Sequence, residues 1–87
     1  MSEYVEARYA RLRLQEARGA KEDQASKLVN ELLRDLSPRG AFNAARAHAL
    51  TSIRVLALSL DQSESLHLPE WEAADQATEA WCRNAYL

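Results

Sequence analysis

The 87 residues, 47% apolar and 28% charged, make one domain (residues 1–87) so small that oligomerisation is a common supplement to its core. A single cysteine excludes an internal disulfide, and no apolar run reaches the roughly 18 residues of a membrane span or follows a charged leader, so no membrane association and a cytoplasmic location are expected. A net charge of −2, with 11 Lys and Arg against 13 Asp and Glu, argues against a strongly basic, polyanion-coating chain.

Two glycines, two prolines and abundant Ala, Leu, Glu and Arg favour helix throughout, and β-branched residues never alternate over a strand's length. The fold class is therefore all-α. Ser2, followed by Glu3 and Glu6, places a cap and acids where a helix start favours them. From there Ala7, Ala10, Leu14 and Ala17 keep phase with Ala25, Leu28, Leu32 and Leu36 straight through Gly19. That continuity predicts one helix over residues 2–36, about 50 Å long. Val5, Tyr9 and Leu12 form a second strip on its first half, and Val29 and Leu33 widen the main stripe on its second half.

Ser37-Pro38-Arg39-Gly40 is the clearest punctuation, because proline suits a helix's first turn and discourages continuation of the helix before it. It predicts a second helix over 38–66, antiparallel to the first, with Leu32 level with Ala44 and Lys21 level with Arg54 or Val55. Phe42, Ala45, Ala49, Ile53, Leu56 and Leu60 share one face of that helix. Ala44, Ala47, Thr51, Val55 and Leu58 form another apolar strip opposite. Pro69, with Glu70 and Glu72, opens a third helix over 69–86 that carries Trp71, Ala74, Thr78, Trp81, Cys82 and Ala85 on one face and a Glu79–Arg83 pair on its flank. The expected architecture is a three-helix antiparallel bundle: a long hairpin and a shorter third helix covering Val5, Tyr9, Leu12 and the Ile53–Leu60 half of the second.

In that arrangement the third helix does not reach the hairpin tip. Leu28, Val29, Leu32, Leu33, Leu36, Phe42, Ala44, Ala45 and Ala49 are then covered only by each other, which predicts a homodimer or partner interface there.

Charge is unevenly distributed: +2 over 1–21, −2 over 22–36, +3 over 37–60 and −5 over 61–87, which favours attraction between the second and third helices first. Arg8, Arg11 and Arg18 on the first helix and Arg46 and Arg54 on the second are candidates for contact with nucleic acid or an acidic partner. The interspersed Glu3, Glu6 and Glu16 and the length of the helices weigh against a DNA-reading motif. Glu64 and His67 have the Glu-x-x-His spacing of di-iron bundles, but the carboxylates such a site needs from other helices are not at the same level, so no metal and no other cofactor is expected. Cys82 reads as core, and no phosphate loop or nucleophile motif occurs, so an enzyme is not expected. The function expected is a small non-catalytic protein–protein interaction module, a homodimer that docks onto and modulates or inhibits a larger partner; the alternative is a nucleic-acid-binding regulator.

Overall fold

The computed structural model describes residues 2–36, 40, 42–62 and 67–86. The all-α class holds, with four helices rather than three among the described residues: α1 (Glu3–Arg18), α2 (Glu22–Asp35), α3 (Ala44–Leu60) and α4 (Leu68–Tyr86). Ser2 caps α1 as expected, its hydroxyl accepting the Val5 N–H at 3.2 Å.

The predicted 35-residue helix is broken at Gly19-Ala20-Lys21. Gly19 keeps a right-handed helical backbone (φ −81°, ψ −7°), whereas Lys21 is extended (φ −65°, ψ 154°) and turns the chain back on itself. Phase could not detect this. A straight helix needs both stripes on one face, a hairpin needs each stripe to face the other, and a three-residue gap satisfies both conditions.

Side-chain bonds fix the direction of each helix. Tyr9 donates to Asp35 at 2.6 Å and Arg13 pairs with Glu31 at 3.6 Å, so α1 and α2 are antiparallel. Ser26 donates to Asp61 at 2.8 Å, setting α2 antiparallel to α3. Arg11 meets Glu79 at 3.4 Å, and the Trp81 indole N–H donates to Glu3 at 3.1 Å, which closes α4 onto α1. The result is an up-down-up-down bundle in which α4 also packs beside α1, with principal extents of 39 × 20 × 19 Å.

The boundaries of the second predicted helix also shift. Ser37 to Arg39 and residues 63–66 lie outside the described residues, and so does the start expected at Pro38. The helix begins instead behind Asn43, whose side-chain oxygen accepts the Arg46 N–H at 2.9 Å, and ends at Leu60. Ser26 is therefore level with Asp61, not Lys21 with Arg54 or Val55. The third predicted helix is present one residue longer, as α4, and the Glu79–Arg83 pair forms at 3.3 Å.

The core is built from the inner stripes of all four helices. Ala7, Ala10, Leu14 and Ala17 of α1 meet Val29 and Leu32 of α2, Ala49, Ile53 and Leu56 of α3, and Ala74, Ala77 and Trp81 of α4. Small alanines on α1 permit close helix approach, and the fully buried Trp81 fills the space they leave.

Candidate functional site

The expected interface at the hairpin tip is largely internal. Val29, Leu32, Leu36 and Ala49 are buried within the single chain; Leu28, Leu33 and Ala45 are half-buried; only Phe42 and Ala44 are exposed. The break at Gly19 is the cause, because α1 folds back along α2 and covers what a straight helix would have left bare.

An exposed apolar strip lies along the outside of α3, with exposed His48 and Arg54 beside it. Ala44, Ala47, Thr51, Val55 and Leu58 are all exposed, Val55 at 50% and Leu58 at 67%, with Phe42 fully exposed at their N-terminal end. The division of this helix is thus by face along its whole length, not lengthwise into a core half and an interface half. The Val5 and Leu12 strip of α1 is likewise not covered by α4: both residues are at least half exposed, and Tyr9 leans instead on α2 through Asp35.

The five candidate arginines do not form one surface. Arg46 is 5% exposed and points inward, where its Nε and Nη2 donate to the two Glu6 carboxylate oxygens at 2.9 and 3.2 Å and its guanidinium lies 5.7 Å from the Trp81 ring centroid. Asn43 and Trp81 both donate to Glu3 beside it, so the two acids expected simply to favour the start of α1 tie α1 to α3 and α4. Arg18 stands at a hollow of about 200 Å³ with Leu14, Gln15, Trp71 and Asp75, and Arg54 is exposed on α3.

Arg8 and Arg11 do come together, in a groove of about 770 Å³ between α1 and α4. Tyr4, Leu12 and Gln15 of α1 and Cys82, Arg83 and Tyr86 of α4 complete its walls. Tyr4 and Tyr86 meet at one end with ring centroids 5.3 Å apart. Arg8 donates to the Tyr4 hydroxyl at 3.2 Å and lies 6.0 Å from that ring's centroid. Glu79 is shared by Arg11 and Arg83, leaving three guanidinium groups against one carboxylate. Burial pushes the Cys82 thiol up, and Arg11 and Arg8 only partly offset this, so the sulfur is a neutral, weakly polar part of the floor. Arg83, Cys82 and Tyr86 were not legible as groove residues, because their position depends on α4 lying antiparallel beside α1.

His67 is buried at the opposite end of the bundle. Its Nδ1 lies 2.7 Å from the Ser59 hydroxyl, which also donates to Glu70 at 3.3 Å, and its Nε2 is 3.6 Å from Glu22. The Ser59 hydrogen bonds join the end of α3 to the start of α4, with Glu22 at the start of α2 close by. Glu64, the other half of the Glu-x-x-His spacing, lies outside the described residues, and among those described no three His, Cys, Asp or Glu side chains gather as metal ligands. No helix among the described residues is long and apolar enough to cross a membrane. No family model, characterised protein or solved structure matches this chain.

Proposed function

We propose that this chain is a small non-catalytic protein–protein interaction module that works as a homodimer and docks onto a larger macromolecular partner, whose activity it modulates. The observation that carries the reading is the outer face of α3. An apolar face running the length of a 17-residue helix, continued by the fully exposed Phe42, favours a protein surface as its cover.

The occupant argued for is a second copy, because the face is complementary to itself. Its positions fall symmetrically about Thr51, so two α3 helices crossing antiparallel at Thr51 set Ala44 against Leu58 and Ala47 against Val55 on both sides of the two-fold axis. Small residues opposite large ones interdigitate, as ridges fill grooves in helix packing. α3 contributes no acid to this surface, so no carboxylate has to be desolvated at the contact. Arg46 is turned inward onto Glu6 and is not offered to phosphates, which leaves the nucleic-acid alternative with Arg54 alone of its two α3 arginines.

Sedimentation equilibrium is the test. The wild-type chain is expected to be a dimer at micromolar concentration, and Val55→Glu and Leu58→Glu monomers with unchanged helicity, since both side chains are exposed in the single chain. A monomeric wild type, or a dimer indifferent to both substitutions, overturns the reading.

A further inference from the structure

We infer that the groove between α1 and α4 is a binding site for a small aromatic organic anion, a planar ring system carrying a phosphate or carboxylate head. Its walls supply both halves of that chemistry. Arg8, Arg11 and Arg83 present guanidinium donors suited to a planar or phosphate anion, and Glu79 cancels one of the three charges. Tyr4, Tyr86, Leu12 and the Cys82 thiol supply the apolar surface for a ring.

The dimensions of the groove suit a small ligand. The Tyr4–Tyr86 ring pair stands at one end, and farther along Arg11 of the lining pairs with Glu79 of α4. Those two ties are seven residues apart on α1, a separation of about 10 Å. That stretch of lining matches the length of a ring system and its head group. The volume of about 770 Å³ lies within the range of small-molecule sites.

Titration with naphthyl phosphate, followed by backbone amide NMR, tests the inference. The expected result is a saturable, one-to-one response confined to Tyr4, Arg8, Leu12, Cys82, Arg83 and Tyr86, with neutral naphthol and inorganic phosphate each binding at least about tenfold more weakly. Arg8→Glu and Arg83→Glu, both on exposed side chains, are each expected to weaken naphthyl phosphate about tenfold while the circular dichroism spectrum is unchanged. No saturable response at millimolar ligand, equal binding of naphthol, or a response centred on α3 overturns the inference. Tighter binding of a glutamate-rich peptide than of naphthyl phosphate also overturns it, in favour of a protein-docking groove. Failure here leaves the homodimer reading intact, because the α3 substitutions are read by mass and the groove substitutions by ligand response.

Discussion

Arg46 and Glu6, 40 residues apart in sequence, form a two-point ion pair that locks the starts of α1 and α3 together beneath Trp81. The guanidinium is almost wholly removed from water while the carboxylate keeps a little exposure, their side chains being 6% and 14% accessible. Removing the carboxylate strands a buried cation, which costs more than removing the pair together. Glu6→Leu is therefore expected to lower unfolding stability by about 3 kcal/mol, a large share of the roughly 5–10 kcal/mol such a domain has. The double variant Glu6→Leu with Arg46→Met is expected to recover most of it, as read from urea midpoints. A neutral Glu6→Leu would mean that the pair holds nothing.

Gly40 lies against the same guanidinium. A Cβ built on Gly40 would collide with the Cζ, Nη2 and Nε of Arg46. An arginine tip usually gives way cheaply, but this one is held by Glu6 below and the indole beside it. Gly40→Ala is expected to cost about 1–3 kcal/mol, the usual range for overpacking. In an Arg46→Met background the same change is expected to be nearly free, so a double-mutant cycle in urea should return a coupling comparable to the whole single-variant effect.

Tyr9 titrates in a direction set by Asp35. The hydrogen bond from the phenol to that carboxylate, with some burial and the carboxylate's charge, raises the Tyr9 pKa above 10.0. A raised pKa means that the folded protein holds the proton more tightly than the unfolded chain does. The stabilisation is thus fully present below about pH 10 and is lost as pH climbs through the raised folded value. Tyr9→Phe is expected to cost less than about 1 kcal/mol at pH 7, because the pair faces solvent. The difference between wild type and variant, followed by thermal melts, is expected to shrink above pH 10.

Helical class, the Ser2 cap, the α4 face and the Glu79–Arg83 pair were all legible because each depends on residues within one or two turns of one another. The groove was not, since Arg8 and Arg83 are brought together only by the packing of α4 on α1. Arg46 misled for a related reason: its spacing on α3 resembles a surface arginine, and its burial depends on Glu6, Gly40 and Trp81 converging from elsewhere in the chain. The strip from Ala44 to Leu58 was visible as apolar, but its exposure became clear only once α2 and α4 had taken the opposite side of α3.

The turn over Gly19-Ala20-Lys21 separates α1 from α2, and the backbone of Gly19 shows that it is not itself the hinge. With φ −81° and ψ −7° it sits where any residue can sit, and an added Cβ would meet only the carbonyl oxygens of Gln15 and Glu16 at 3.7 and 3.8 Å, ordinary contact distances. Alanine fits there and also restricts the unfolded chain, so Gly19→Ala is expected to stabilise by about 0.4–1 kcal/mol, raising Tm by about 2–8 °C. The reversal stays in place because the extended Lys21 makes it and the facing stripes of α1 and α2 hold it. Calorimetry should therefore record a higher Tm while sedimentation records the same mass as wild type. A lower Tm would mean that the glycine is needed for the turn. A changed mass would mean that alanine straightens α1 and α2 into one helix, whose bare stripes then pair between chains.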